Sequence, residues 1–198
     1  MSSRGGDRCL NDRVTEIRPG MLLLATPVLL DPNFADTVVL MLDVSDDGAL
    51  GVVLNRPTGL PVSEVLADWG DVVAEPEVLF QGGPVETEGA LAVAMRRTED
   101  GAPVGFREVA GPLGLLDLDT PVELVSDSLA GLRIFAGYAG WGSGQLQSEV
   151  AEGHWYVVPG RGEDVFRSDS RELWRDVLRR QPGDLAMHST RPVDPDLN

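Results

Sequence analysis

The chain is a series of short apolar runs separated by Gly, Pro, Asp and Asn. Three runs, at residues 21–25, 37–42 and 50–55, are rich in Val and Leu and predict three strands. Ser45 to Gly48 supplies turn-forming residues between the second and third runs, which predicts a hairpin. The same pattern predicts further strands at residues 78–80, 90–95, 132–137 and 155–158.

Apolar residues at helical spacing predict three helices. The first is short and covers residues 63–69, and the second runs to Val150 with Ser143 as its cap. Asp169 and Glu172 indicate a capping-box variant before a final helix. The buried face of that helix is expected to hold Leu173, Trp174, Val177 and Leu178.

Two stretches predict irregular structure. Residues 96–112 are polar and Gly-rich, which indicates a mobile connection, and the glycines between Gly137 and Gly144 are expected to forbid regular structure. Strands and helices are mixed without a regular β-α-β alternation. This order favours an α+β fold over a doubly wound one.

The 198 residues suit one domain. We predict a flexible arm at residues 1–19, the domain at 20–190 and a tail at 191–198, because the first segment is polar and lacks a periodic apolar face. That segment has no secretory signal pattern, and no apolar stretch is long enough for a membrane helix. The lone Cys9 favours a reducing, cytoplasmic location.

The basic residues exclude several kinds of chemistry. All 16 are arginine, so Schiff-base and phosphate-loop lysines are excluded. With only His154 and His188, a three-histidine metal site is excluded as well. No Gly-x-Ser-x-Gly elbow is present to place a catalytic serine.

The charge argues against direct binding of nucleic acid. The formal net charge is -16, and residues 43–91 hold ten acids and one base, Arg56. Arg171, Arg175 and Arg179 follow helical spacing among acidic residues, so we interpret them as a solvated helix face with internal ion pairs.

Four segments together resemble the YqgE/AlgH family. They are residues 20–27 with Asp31 and Phe34, residues 51–57, residues 81–85, and residues 137–142 continuing through Gln145, Leu146 and Glu149. The match covers residues 20 to 180 in the family's order and spacing. One departure is Gln147, where the family commonly has Glu, so no carboxylate role is transferred to that position.

The resemblance implies a single α+β domain with a strongly bent, barrel-like mixed sheet flanked by a few short helices. It implies a cytosolic bacterial protein of a family often labelled transcriptional regulators, with no accepted reaction and no metal or organic cofactor. No catalytic residue is assigned. The ligand-binding candidates are Asn55, Arg56, Gln81, Gly82, Gly83, Tyr138, Gly140, Trp141, Gly142, Gln145 and Glu149.

Two interpretations of these candidates stay open. They line a shared pocket in which Arg56 binds a carboxylate or phosphate, or they form a structural latch in which glycines permit tight crossings and Trp141 fills the core. In either case we expect the segments at 55–56, 81–83 and 138–145 to converge, because their polar groups need partners.

Three functions follow from these interpretations. We rank a regulatory or adaptor protein that binds an unidentified protein or small molecule first. A small-molecule enzyme using Arg56, Gln145 and Glu149 comes second, and a DNA-binding regulator comes last on charge. We expect a monomer or weak homodimer and no membrane association.

Overall fold

A computed structural model describes residues 16–99, 101–183 and 185–189, and within them ten strands form one sheet. The strands are β1 (Met21–Ala25), β2 (Val38–Ser45), β3 (Gly48–Val53), β4 (Pro57–Pro61), β5 (Val78–Gln81), β6 (Val85–Arg96), β7 (Phe106–Ala110), β8 (Leu113–Leu116), β9 (Leu129–Gly142) and β10 (Trp155–Pro159). The α-helices are α1 (Val62–Val65), α2 (Gln145–Ala151), α3 (Gly162–Phe166), α4 (Leu173–Arg179) and α5 (Leu185–His188). Single 3-10 turns lie at Ala67–Trp69, Val122–Leu124 and Ser126–Ser128.

Strand β9 joins two halves of the sheet. The strand order is β10-β1-β2-β3-β9-β6-β8-β7, and β5, which carries β4 on its other side, also pairs with β9. The last part of β9 pairs with β3 and its longer first part pairs with β6. Between them Gly137 adopts a φ of 68°, a left-handed conformation in which side chains are strained. The sheet therefore bends at this point, and the predicted α+β fold with a strongly bent sheet is confirmed.

The continuous apolar runs reflect burial on both faces of the sheet. Because successive side chains of a strand point to opposite faces, Leu22 and Leu24 of β1 enter one core cluster while Leu23 enters another. The first cluster is covered by α3 and α4, which contribute Val165 and Val177. A second cluster lies under α1 and its following 3-10 turn, and the third lies under α2.

Most predicted strands are present, and the hairpin of β2 and β3 is confirmed. The prediction that glycines forbid regular structure after Gly137 is wrong, because β9 continues to Gly142 by pairing with β3. The connection at 96–112, predicted as mobile, contains the strand Phe106–Ala110, which forms an edge of the sheet on β8. Local composition did not reveal the end of β9 because its partner β3 is distant in sequence. It did not reveal β7, although the partner β8 is adjacent, because Arg107 and Glu108 make that strand polar.

Two predicted helix caps are absent. The Ser143 hydroxyl donates to the carbonyl of Asp46, 2.7 Å away, and the cap position of α2 is Gly144 in a left-handed conformation. Asp169 accepts a hydrogen bond from the backbone of Arg171, and Glu172 makes no side-chain cap. At the start of α3, the Asp164 carboxylate accepts from the backbone N–H of Arg161 at 2.8 Å.

The predicted arm lies mostly outside the described residues, as does the predicted tail at 191–198. Within the described part of the arm, Ile17 packs against the third core cluster. The proposed domain boundaries stay predictions. No described helix is both long enough and apolar enough to cross a membrane.

Candidate functional site

An Ω loop at residues 26–36 connects β1 to β2. Its ends meet, because the Ala25 N–H donates to the carbonyl of Thr37 at 3.0 Å. Inside the loop, the backbone N–H groups of Phe34 and Ala35 both donate to the carbonyl of Asp31. Compact loops of this kind carry their own internal packing and often serve binding.

Asn55 and Arg56 hold this loop from the end of β3. The Asn55 side chain donates to the carbonyl of Asp36 at 2.8 Å and accepts from the Val38 N–H at 2.9 Å. Asp36 has a φ of 59°, which is uncommon outside glycine, so this contact fixes a strained residue. The Asn55 side chain therefore closes the C-terminal end of the loop.

The guanidinium of Arg56 donates to three carbonyl groups of the Ω loop. The acceptors are Asn33 at 2.7 Å, Pro32 at 2.9 Å and Ala35 at 3.3 Å. Its planar fork therefore binds the backbone of the loop rather than a carboxylate or phosphate.

A cluster of aromatic rings supports the loop from the other side. The Phe34 ring lies 6.1 Å from Trp141 and 5.7 Å from Trp155, and the two tryptophans meet edge to face at 6.0 Å. Both indoles donate to the same oxygen of Glu149 at 2.9 Å. Gln145 donates to the other Glu149 oxygen at 2.9 Å. We call this group the tryptophan clasp; it consists of Phe34, Trp141, Gln145, Glu149 and Trp155.

The Ω loop presents apolar side chains above these anchors. Val28 is 64% exposed and Leu30 is 82% exposed, whereas Leu29 between them packs on the third core cluster. Thr26 fixes the start of the loop by donating its hydroxyl to the carbonyl of Gly153 at 2.7 Å. A well-anchored loop therefore holds two apolar side chains in solvent.

The glycines of the motifs permit a tight crossing of two backbones. A Cβ atom on Gly82 would lie 2.3 Å from the carbonyl oxygen of Gly137, and one on Gly83 would lie 2.1 Å from the carbonyl carbon of Tyr138. No side chain fits at those distances. These glycines therefore allow two backbone segments to cross closely, and they do not serve to bring a ligand close to the backbone.

The motif segments are neighbours, but they do not share one pocket. The Gln81 N–H donates to the Arg56 carbonyl at 2.8 Å, and the Ω loop connects Arg56 to the tryptophan clasp. Tyr138 and Trp141 lie on opposite faces of β9, since Tyr138 packs on the first core cluster and Trp141 in the third. The side chain of Gln81 is exposed, as are Gly140 and Gly142.

One buried cation was missed by the sequence analysis. Arg133 in β9 is 1% exposed, and its guanidinium lies 4.2 Å from the centre of the Phe80 ring. It donates to the carbonyls of Glu75, Val165 and Arg167 at 2.6, 2.8 and 3.1 Å. Burial lowers the pKa of Arg133 to about 10, so it stays charged at neutral pH. A lone arginine inside an apolar strand was the signal available in the sequence.

The late arginines pair with acids instead of forming a basic patch. Arg180 makes a bidentate contact with the buried carboxylate of Asp164, which raises the pKa of Arg180 through its hydrogen bonds. Asp176 accepts from Arg167 at 2.8 Å and from Arg179 at 2.9 Å. Much of the positive charge in this region is therefore neutralised locally. Within the described residues no group of His, Cys, Asp and Glu has the arrangement of a metal site.

A family model described as AlgH-like matches residues 22–186. The chain is 55% identical to a UPF0301 protein of Streptomyces avermitilis and 54% identical to one of Streptomyces coelicolor, each over 90% of this chain and 94% of the relative. Among solved structures, a protein from Corynebacterium diphtheriae matches with a TM-score of 0.84 at 32% identity, over 89% of this chain and 93% of that one. The AlgH protein from Pseudomonas aeruginosa matches with a TM-score of 0.65 at 26% identity, over 88% and 94%.

Proposed function

Since the chain belongs to the AlgH-like family, the YqgE/AlgH family of its sequence motifs, we propose that it is a cytoplasmic regulatory or adaptor protein that binds another protein through the Ω loop. One observation carries the proposal: an anchored loop holds Val28 and Leu30 in solvent. A loop fixed before binding loses little conformational entropy when a partner docks. An apolar side chain that becomes buried in the complex contributes about 1.5–3 kcal/mol.

The partner segment is expected to combine apolar residues with lysine or arginine. Asp31 and Asp36 are exposed on the loop itself, and Glu152 is exposed beside Gly153, which binds Thr26. The charge of Arg56 is directed into the loop backbone. Complementary charge would steer a basic partner to this face and raise the association rate.

The other two functions receive less support from the geometry. An enzyme would use Arg56, Gln145 and Glu149, yet the polar atoms of Arg56 and Glu149 already hold the Ω loop and the tryptophan clasp. A DNA-binding regulator would have to overcome a net charge of -16. We expect labelled duplex DNA to form no complex at about 150 mM salt. A tight, salt-sensitive complex would contradict the ranking.

A peptide library displayed on phage tests the proposal on the full chain. We expect selected peptides to contain an apolar residue and Lys or Arg. They should bind Leu30→Ser about tenfold more weakly than the wild type, because the leucine side chain that becomes buried in the complex is lost. Leu124→Ser is the matched control, since Leu124 is 63% exposed elsewhere on the surface. Its affinities should equal those of the wild type. Selection of no peptide, or equal binding to Leu30→Ser, would refute the proposal.

A further inference from the structure

Strand β6 has a free edge where β8 ends. The pairing of β6 with β8 covers Ala92 to Met95 only, and β8 stops at Leu116 opposite Ala92. On its other side β6 continues to pair with β9 through Leu91 and Ala90. Among the described residues no strand continues the line of β8 beside Ala90 and Leu91. Unpaired strand edges present backbone N–H and C=O groups that can accept another strand.

An open depression of about 340 Å³ lies at this edge. Its lining residues are Ala90, Leu91, Ala92, Leu115, Leu116, Asp117, Leu118 and Asp119. Leu91 and Leu115 lie on the face of the first core cluster and Leu118 on the face of the second, and all three are half-buried. Apolar surface is therefore partly uncovered on both faces of this edge, and a free strand edge flanked by apolar side chains is the arrangement in which proteins bind extended peptides.

Acidic residues lie in this depression and in the segment next to it. Asp117 and Asp119 belong to its lining and are exposed. Directly before Ala90 along the chain, residues 86–89 bulge out of the β6–β9 ladder and carry the exposed Glu86 and Glu88. Glu86 has a φ of 48°, so the bulge holds a non-glycine residue in a strained conformation. The lining is therefore negative, and the segment that leads into the free edge adds two further acidic residues.

We infer that this edge of β6 is a second binding surface, which takes an extended peptide that contains both apolar and Lys or Arg side chains. The peptide adds a strand to β6 in the line of β8, its apolar side chains contact the half-buried leucines, and its basic side chains meet the carboxylates of Asp117 and Asp119. An acidic or purely apolar segment lacks the complementary charge. The inference does not depend on the Ω loop, which is built from other residues.

A short synthetic peptide that alternates lysine and valine tests this surface, with a glutamate–valine peptide as its control. In NMR titrations of the full chain, we expect backbone shifts centred on residues 90–92 and 115–119. Hydrogen exchange of an amide at Ala90 or Leu91 should slow by about tenfold when the added strand forms its ladder. The glutamate–valine peptide should cause neither effect.

Two variants of exposed alanines separate this site from the rest of the molecule. Ala90→Trp fills the depression and should abolish binding of the lysine–valine peptide, whereas Ala67→Trp, on the 3-10 turn after α1, should not. Thermal melts of both variants check that the fold is retained. Leu30→Ser should bind the peptide normally, so failure of the Ω-loop proposal and failure of this inference are distinguishable. Absent binding, shifts centred elsewhere, equal binding of the acidic peptide or binding by Ala90→Trp would overturn the inference.

Discussion

Replacing Arg133 with methionine should lower the free energy of unfolding by about 2–5 kcal/mol. Methionine fills a similar length of the core but donates no hydrogen bond. The carbonyls of Glu75, Val165 and Arg167 would then lose their donor. Glu75 lies in the segment before β5, and Val165 and Arg167 lie in and just after α3, so one side chain ties two distant parts of the chain to β9.

The magnitude follows from two opposing contributions. Hydrogen bonds from a charged donor contribute about 1.5–3 kcal/mol each, so the three bonds together contribute about 5–9 kcal/mol. Burial opposes this, since lowering the pKa of Arg133 from its ordinary value to about 10 corresponds to about 3 kcal/mol at the usual conversion. The hydrogen bonds exceed the burial penalty, and Arg133→Met should therefore be destabilising.

Urea unfolding measures the effect as a lower midpoint with an unchanged slope. The matched control is Arg97→Met, because Arg97 also donates to two carbonyls, those of Asp127 and Leu129, but is exposed. Water can replace those bonds, so the control should lose less than about 1 kcal/mol. If Arg133→Met loses no more than the control, the reasoning about its buried carbonyls is wrong.

The pH dependence of this difference has a defined sign. Arg133 is charged in both states from pH 6 to 9, so the stability gap between wild type and Arg133→Met should stay flat there. Above about pH 10 the folded wild type releases a proton from Arg133 that the unfolded chain, in which the pKa of Arg133 is higher, retains. The burial penalty then disappears, and the gap should widen in favour of the wild type. Urea midpoints measured across this range would contradict the argument if the gap narrowed.

Three further outcomes are expected. Glu149→Ala should lower the free energy of unfolding by about 2–4 kcal/mol, because two buried indole N–H groups lose their acceptor. It should also change the tryptophan fluorescence. Replacing the exposed Gln147 on the same helix with alanine should change neither quantity. Glu86→Gly should raise stability by about 1 kcal/mol by removing left-handed strain, while Glu88→Gly should lower it; thermal melts that show the same sign for both would refute this. Deleting residues 1–15 should leave the melting temperature unchanged within about 1 °C, since this segment is polar, and a loss of several degrees would show that it docks on the domain.

The sequence predicted the elements whose stability is local. The run from Leu22 to Ala25 and the hairpin turn at Ser45 to Gly48 both lie where the apolar pattern and the turn residues indicated. Strand β9 beyond Gly137 was not predictable in this way, because glycine composition disfavours a strand and only pairing with β3 provides one. Strand β7 was missed for another reason: it pairs with the adjacent β8, but Arg107 and Glu108 give it a polar composition.

The candidate site was predicted as a set of residues but not as a geometry. The pattern placed Asn55 and Arg56 at a strand end where their polar groups need partners, and both do make such contacts. It did not reveal that the acceptors are carbonyls of the loop at 31–36, because backbone acceptors leave no signature in a sequence. The pattern also did not place Tyr138 and Trp141 on opposite faces of β9, because the glycines around them argued against a strand there.

The way Arg56 and Asn55 hold the Ω loop has a consequence for how this protein can diverge. Both side chains donate to main-chain carbonyls of the loop, so this part of the anchoring requires a path of the backbone and no particular side chain at residues 32, 33, 35 and 36. The loop's own anchoring side chains are Thr26, Leu29 and Phe34. The two ends of the loop also meet in a backbone bond, so changes between them need not alter the register of β1 against β2. Two proteins with the same sheet, the same Asn-Arg pair and the same three anchors can therefore present different residues at Val28 and Leu30, and other exposed side chains can be grafted at these positions.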